Sequence, residues 1–353
     1  MKDSFSIEEK KLFAFCRDAL IKSGMDEANS IIVASHLVQT DKWGVHTHGT
    51  KNLFYYIKKN IAGGVSFKNE AEIVKEYPSS AIIDANNCLG FVSGTIAMNK
   101  ACEMAEKTGI GIVFVKNSCH FGAAACYSNI AAKRGLIGIA LSNVEKRMTI
   151  PGAKGIVMGH NPFSYAVPST ILPSVFLDVA TSNVASLKVM KERDAGHKIP
   201  FDWISDKDGL PTDNPSKYPE EGALLPMAGH KGYGIALLIE FLTSVATSSD
   251  TSISGLIPSW ILDLEKPNNV CHTCIAIDIS KFNPSFVDDV DKAIEELHSS
   301  PKSKDSKGVF VPGEIEWKKS FVSEKEGIYL PEDVWSILRE MSLFLGIPLE
   351  DKE

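Results

Sequence analysis

The chain has 353 residues, 44% hydrophobic and 23% charged, which is enough for about two domains with a sizeable core. Its net charge of −7 and its lack of a Lys/Arg run flanked by aromatic residues argue against nucleic acid and membrane surfaces as partners. No apolar run could cross a bilayer and no hydrophobic signal segment opens the chain, which indicates a cytoplasmic location. The seven cysteines lie mostly in apolar segments and are expected to be reduced and buried.

The first seventy residues are predicted to be helical. Ser6 and Glu9 have the spacing of a capping box at the start of the first helix. Apolar residues at helical intervals predict three helices, which lie before Gly24, at 27–40 and at 53–62.

From residue 71 onward, short apolar strands alternate with helices, which is typical of an α/β domain. Strands are predicted at 71–77, 80–85, 109–115, 135–141, 163–168, 175–181 and 272–280. Helices are predicted at 93–107, 123–134, 184–193, near Tyr233 and from Pro331 to 344.

Two histidines lie in glycine-flanked turns. His120 follows a strand in the run 116–143, a usual place for reactive side chains, and His48 lies in HTHGT. Histidine titrates near neutral pH, so both are candidate acids or bases, and we expect them to face one cleft. A histidine beside Phe is also commonly structural, and His46, which alternates with His48, is more simply explained as solvated.

A glycine-rich turn, AGHKGYG, precedes the predicted helix near Tyr233. Its glycines let the backbone approach a ligand, and Lys231 adds a positive charge at a helix N-terminus, as phosphate binding favours. The chain has neither a GxGxxG after its first strand nor a GxxxxGK[ST], so a Rossmann or P-loop domain is disfavoured.

Two further motifs carry polar residues. DVATS, residues 178–182, ends a strand with a carboxylate and hydroxyls that suit ribose, a histidine partner or a capped turn. Cys271, His272 and Cys274 lack a second ligand pair, so no metal site is predicted.

Six segments occur in one order along the chain: HTHG, the run 109–143, GHNPFSYAVP, FLDVATS, LLPMAGHKGYGIALLIEFL and VPGE. Together they resemble the malate/L-lactate dehydrogenase family, which also contains ureidoglycolate, sulfolactate and diketogulonate oxidoreductases. The resemblance covers nearly the whole chain. It implies a homodimeric oxidoreductase that uses NAD or NADP, with NAD favoured, and interconverts a small 2-hydroxy acid and its 2-oxo acid.

The resemblance also implies a non-Rossmann α/β fold like that of sulfolactate dehydrogenase. A helical domain would comprise residues 1–70 and about 320–353, and a central domain with a largely antiparallel sheet would comprise residues 71–319. His48 and His120 match the family's two acid/base histidines. The positions that match cofactor-contacting segments are His160, Asn161, Asp178, Val179, Ala180, Lys231, Gly232, Pro312, Gly313 and Glu314.

The substrate side departs from the family pattern at two positions. Thr47 stands where Ser is usual, and Asn52 stands where the family commonly has Arg. Arginine grips a carboxylate by two parallel hydrogen bonds, so another cation should compensate. The candidates are Lys51, Lys146 and Arg147.

Alternatives remain open. The loss of Arg at Asn52 favours reduction of a diketo sugar acid or a cyclic imine carboxylate on the same scaffold. A metal-dependent hydrolase using His46, His48, His120 and Asp178, or a catalytically silent binding protein, would be of another class.

Overall fold

The computed structural model describes residues 4–249 and 257–350. These ranges contain ten α-helices: α1 Glu9–Lys22, α2 Glu27–Lys42, α3 Leu53–Ala62, α4 Gly90–Thr108, α5 Ala125–Lys133, α6 Ser186–Asp194, α7 His230–Glu240, α8 Phe286–His298, α9 Glu314–Glu326 and α10 Glu332–Leu345. A π-helical turn, Phe241–Val245, extends α7. None of these helices is both long and apolar enough to cross a membrane.

The same ranges contain fourteen strands: β1 Ser4–Ile7, β2 Glu72–Tyr77, β3 Ser80–Asp84, β4 Ile110–Ser118, β5 Ile137–Ser142, β6 Lys146–Met148, β7 Met158–Gly159, β8 Phe163–Val167, β9 Val175–Val179, β10 Ile204–Ser205, β11 Pro211–Thr212, β12 Ala223–Leu224, β13 Val270–Ile277 and β14 Ile328–Pro331. The predicted α/β class is therefore confirmed.

The main sheet has seven strands in the order β2-β3-β4-β13-β5-β8-β9. Only β3 and β4 run parallel, and every other neighbouring pair is antiparallel. A Rossmann sheet is mostly parallel, so this sheet differs from it, as the sequence predicted. Helices α4 and α5 pack against it. The seven cysteines are buried, and none forms a disulfide bond within the described residues.

A second, smaller sheet lies beside the first, with the order β11-β10-β12-β6-β7. It has its own apolar core, in which Met148, Val189, Tyr218 and Leu224 are buried. Strand β6 carries Lys146 and Arg147, so this sheet fixes two of the predicted substrate cations.

The first and last strands join the two ends of the described chain. Strand β1 pairs antiparallel with β14, with Ile7 opposite Ile328, and α10 packs against α3. The predicted capping box is wrong, because Ser6 belongs to β1 and its hydroxyl donates to the carbonyl of Glu326 at 3.0 Å. The N-cap position of α1 is Glu8, whose side chain makes no capping bond.

Candidate active site

His48 and His120 lie together, as expected. Their rings stack with centroids 5.7 Å apart and an interplanar angle of 30°. His48 lies in the turn between α2 and α3, and His120 follows the end of β4. The pair therefore lies where the N-terminal helices meet the main sheet, and both side chains are partly exposed.

The hydrogen bonds of His120 define its tautomer. The Tyr56 hydroxyl lies 2.6 Å from His120 Nδ1, and the Gly122 N–H lies 3.4 Å from the same nitrogen. A backbone N–H can only donate, so Nδ1 accepts and the proton of the neutral ring is on Nε2. His120 is thus set up as a hydrogen-bond donor through Nε2.

Aromatic rings surround His120 and its neighbour Phe121. Trp260 stacks on His120 with centroids 4.4 Å apart and 6° between the planes. Phe121 stacks on His272 at 4.1 Å and 3°. His272 is fully buried, and its Nε2 lies 3.2 Å from the Cys119 carbonyl, so it holds the backbone next to His120.

Three histidines in this region stay uncharged at neutral pH. Burial lowers the pKa of His48 to about 4, with a smaller contribution from the charge of Lys51. Burial and the neighbouring His48 hold the pKa of His120 well below its usual range. Burial, His48 and Arg147 together lower the pKa of His160 to about 4. Lys51 thus acts on His48, and Arg147 acts on His160.

A buried carboxylate shapes the turn that carries His48. Asp41 accepts hydrogen bonds from the Thr50 N–H at 2.8 Å and from the Thr50 hydroxyl at 2.6 Å, and it lies 2.8 Å from His46 Nδ1. His46 is therefore bound to Asp41 instead of being solvated. A Cβ on Gly49 would lie 2.0 Å from Asp41 Oδ1, so this turn requires glycine.

We expect the Gly49→Ala substitution to destabilise the protein by about 2–4 kcal/mol, because the methyl group displaces Asp41 from its hydrogen bonds. Urea unfolding measures the effect. Gly234→Ala is the matched control, because its Cβ would enter open space within α7. That variant should be neutral or stabilised by up to ~1 kcal/mol, and equal stability of the two variants would contradict the role of Asp41.

Two predicted substrate residues brace this turn from the other side. The Thr47 hydroxyl lies 3.0 Å from His48 Nδ1. Asn52 is buried, and its amide donates to the Thr47 carbonyl at 2.8 Å. Asn52 therefore holds the backbone next to His48, and it offers the cleft no positive charge in place of an arginine.

The three candidate cations differ in their partners. Arg147 donates to Glu145 at 3.1 and 2.8 Å, and Lys51 lies 3.4 Å from Asp333. Lys146 forms no ion pair within the described part of the chain. The positive charges of Lys51 and Arg147 help to lower the pKa values of His48 and His160 respectively.

The segments predicted to contact a cofactor converge on β9. The N–H of Phe176 donates to the carbonyl of Pro312 at 3.1 Å, and the N–H of Thr181 donates to the carbonyl of His160 at 3.2 Å. The N–H of Met227 donates to the carbonyl of Thr181 at 2.8 Å. Four stretches that are distant in sequence thus meet along one strand and the residues just after it.

The side chains along this strand differ in what they offer. Asp178 accepts from the Ala125 N–H at the start of α5 at 2.8 Å, and burial raises its pKa to about 6. Val179 and Ala180 are half-buried. Lys231 is exposed at the start of α7, and the residue after it, Gly232, is buried with no space for a Cβ.

Two other predicted cofactor residues have their side chains engaged inside the protein. Asn161 donates to Glu240 at 2.8 Å, which ties the turn after β7 to α7. Glu314, next to the left-handed Gly313, lies 2.8 Å from both His298 Nε2 and Lys318 Nζ. Because these two side chains are hydrogen-bonded within the protein, we expect Asn161 and Glu314 to contact a ligand through their backbone atoms.

Two buried polar atoms near the histidine pair are left without partners. His160 Nδ1 and Thr181 Oγ1 are both buried, and neither has a hydrogen-bond partner among the described residues. Unsatisfied buried polar atoms are costly, so a polar ligand group is expected there. A nicotinamide carboxamide both donates and accepts hydrogen bonds, so it has the chemistry to pair with an imidazole nitrogen and a hydroxyl.

Three residues of this site, Tyr56, Trp260 and Asp41, were not selected from the sequence. Tyr56 lies on the buried face of α3 and Trp260 in an irregular loop, so both read as ordinary aromatic residues. A signal did exist for Asp41, because a carboxylate in the last turn of a helix opposes the helix dipole and needs another partner.

Comparison with known proteins finds relatives that match nearly the whole chain. A malate dehydrogenase from Pyrococcus horikoshii is 34% identical over 351 residues, which is 97% of this chain and 96% of that protein. A ureidoglycolate dehydrogenase (NAD(+)) from Escherichia coli O157:H7 is 28% identical and covers 96% of each chain. The solved sulfolactate dehydrogenase from Methanocaldococcus jannaschii has a TM-score of 0.88 at 30% identity, over 98% of each chain.

The family model described as malate/L-lactate dehydrogenase matches residues 7–339, so it includes every site residue described above. Its relatives are named dehydrogenases of hydroxy acids, and the solved structure shares the mixed α/β fold. The chain therefore belongs to the malate/L-lactate dehydrogenase family.

Proposed function

We propose that the protein is an NAD(P)-dependent dehydrogenase that interconverts a small 2-hydroxy acid and its 2-oxo acid. The observation that carries the proposal is the stacked pair of His48 and His120, joined by two unsatisfied buried polar atoms, His160 Nδ1 and Thr181 Oγ1, on segments that are hydrogen-bonded to each other. An uncharged imidazole can take the proton of an alcohol, and the same ring once protonated can return a proton to a carbonyl oxygen. The dinucleotide would bind next to the pair. Membership in a family of hydroxy-acid dehydrogenases supports this reading.

The cofactor is proposed to lie along the end of β9, in contact with the segments that meet there. These are His160 and Asn161, Asp178 to Ala180, Lys231 and Gly232, and Pro312 to Glu314. Lys231 and the N-terminus of α7 suit phosphate. We favour NAD, because a relative is named as an NAD(+) enzyme. The nicotinamide, when bound, supplies or accepts the hydride at the substrate carbon.

The two histidines are proposed to have different roles at the substrate oxygen: one donates a hydrogen bond and the other transfers a proton. His120 carries its proton on Nε2 and so donates a hydrogen bond to that oxygen, stabilising the negative charge that develops. His48 shares Nδ1 with the Thr47 hydroxyl, which can donate or accept, so its Nε2 can hold or release a proton. Neutral His48 takes the hydroxyl proton during oxidation, and its protonated form returns a proton during reduction.

The substrate carboxylate is proposed to bind Arg147, with Lys51 or Lys146 nearby. Thr47 and Asn52 shape this side of the cleft, but Asn52 brings an amide bonded to backbone. That observation favours one alternative, reduction of a diketo sugar acid or a cyclic imine carboxylate. A metal-dependent hydrolase has less support, since no group of three metal-ligating side chains converges within the described residues.

The assembly and domain boundaries are proposals as well. We propose a helical domain of residues 1–70 and about 320–353 around a central domain of residues 71–319, supported by the β1–β14 pairing. A homodimer is supported by an exposed apolar row on α7 and the following π turn, formed by Leu238, Phe241 and Val245. Seven reduced cysteines support a cytoplasmic location.

A spectrophotometric screen tests the function. Purified protein is mixed with NADH or NADPH and the 2-oxo forms of malate, lactate, sulfolactate and ureidoglycolate, then with NAD or NADP and the hydroxy acids. A substrate-dependent change at 340 nm is the expected result. Dinucleotide binding without turnover on any 2-oxo acid, diketo acid or cyclic imine would contradict the proposal and favour a silent binding protein.

A further inference from the structure

The loop of residues 257–268, called here the strap, crosses α3 and brings Trp260 against His120. The indole of Trp260 stacks on His120 at 4.4 Å and 6°, and on Tyr56 at 5.0 Å and 21°. Tyr56 in turn lies 2.6 Å from Nδ1 of His120. Trp260 and Tyr56 therefore fix the His120 ring in two ways, by contact with its face and by a hydrogen bond to its edge.

A buried lysine fastens the strap to α3. Lys59 is fully buried, and its ammonium group donates to the carbonyls of Asp263 at 2.8 Å and Lys266 at 2.6 Å. Burial lowers the pKa of Lys59. Burying an ammonium group is costly unless it is hydrogen-bonded. The two strap carbonyls therefore stabilise the buried charge of Lys59, and Lys59 in turn holds the strap in place.

Two more contacts hold the strap. Asn268 donates to the Pro258 carbonyl at 2.7 Å and accepts from the Cys119 thiol at 3.0 Å, which ties the strap to the residue before His120. A Cβ on Gly64 would lie 2.1 Å from the Leu264 carbonyl oxygen. The strap thus contacts both the helix after His48 and the segment that carries His120.

We propose that Trp260 is a positioning residue for the reaction: the strap presses its indole onto His120 and keeps Nε2 of that ring aimed at the substrate oxygen. This inference rests on the proposed function for the role of His120. The indole also shields the ring from water. A misplacement of about 1 Å in a catalytic group can reduce turnover by about 10²-fold, so loss of the stack should affect kcat more than KM.

The test compares two substitutions that keep an apolar side chain. Trp260→Phe retains a flat ring, whereas Trp260→Leu retains bulk without stacking. We expect Trp260→Leu to lower kcat by at least about tenfold with KM within about threefold, and Trp260→Phe to keep most of the rate. Phe282→Leu, at an exposed position beside Gly109, is the control and should match the unsubstituted protein.

Lys59 gives an independent arm of the test. Lys59→Met should lower kcat because the strap is no longer held to α3. Adding Trp260→Leu to that variant should lower kcat little further, since both changes act through the stack of Trp260 on His120. Lys58→Met is the matched control, because Lys58 pairs with an exposed Glu340. Additive effects of Lys59→Met and Trp260→Leu would overturn the proposed linkage.

A readout without substrate separates this inference from the proposed function. The Cε1 proton of His120 is followed by NMR of histidine-labelled protein. Besides Trp260, the groups in contact with the ring are Tyr56 and His48, and His48, His272 and His160 act on its pKa electrostatically. Trp260→Leu removes the indole ring current and admits water, so the resonance should move and the His120 pKa should rise toward its ordinary value.

The outcomes are distinct. If the unsubstituted protein transfers no hydride but the His120 resonance moves, the proposed function fails and the strap contact stands. If hydride transfer occurs and Trp260→Leu changes neither kcat nor the resonance, only the role of Trp260 is overturned.

Discussion

Replacing His48 by alanine is expected to lower kcat by about 10² to 10⁴-fold in both directions, because His48 is the proposed acid and base at the substrate oxygen. His120→Ala should lower kcat by about 10² to 10³-fold, the loss typical of removing one donor to a developing oxyanion. His48→Ala should change the melting temperature little, whereas His120→Ala should lower it, because that variant loses the stack with Trp260 and leaves the buried Tyr56 hydroxyl without its partner. Steady-state kinetics at 340 nm and thermal unfolding measure both effects.

A second pair of variants separates the two roles. The amide nitrogen of glutamine can donate from nearly the place of an imidazole Nε2, but it cannot carry a transferable proton. We therefore expect His120→Gln to recover much of the activity lost in His120→Ala, and His48→Gln to recover none. The reverse pattern would exchange the roles, and near-normal rates in both alanine variants would remove the mechanism. His197→Ala, at an exposed site, is the control.

Acid should destabilise this protein strongly. Burial lowers the pKa values of five histidines: His36, His48 and His160 to about 4, His272 to about 3, and His120 well below 6.5. Each binds a proton more readily in the unfolded chain, so stability is lost as the pH falls from about 6.5 toward 4. Asp178, whose pKa is raised to about 6, works in the opposite sense and offsets part of this loss.

Urea unfolding at pH 7, 6, 5 and 4.5 measures the acid effect, and His36 provides a matched variant. His36 packs against Phe91 and Tyr127, and its Nδ1 is buried without a partner in the described chain. His36→Leu should remove roughly 2–3 kcal/mol of the acid-dependent loss, whereas His197→Leu should remove none. A stability that is flat between pH 7 and 4.5 would contradict the buried, neutral state of these rings.

Local patterns in the sequence predicted the secondary structure well. Alternating apolar residues gave β4, β5 and β13, and helical periodicity gave α2 and α3. The start of α1 was wrong because a strand pairing with residues more than three hundred positions away outweighs a local capping signal. Strand β14 could not be foreseen from the same local signals.

The candidate site was predictable only in part. Glycine-flanked turns identified His48 and His120, and the structure brings their rings to 5.7 Å. Tyr56 and Trp260 were missed because their roles come from contacts between segments that are distant in sequence. Asp41 was missed although its partners, His46 and Thr50, lie within nine residues. Asn52 could be recognised as a departure, but its bond to the Thr47 carbonyl appears only when the turn is folded.

The pairing of β1 with β14 has a consequence for biogenesis. The β1–β14 sheet, which joins the N-terminal helices to the C-terminal segment, cannot form until Ile328 to Pro331 has left the ribosome. By then more than nine-tenths of the chain has been made. Contacts of such long sequence separation form slowly. During synthesis the apolar faces of α1 to α3 therefore remain exposed to solvent until β14 has been made. A nascent chain stalled before β14 would be a substrate for chaperones.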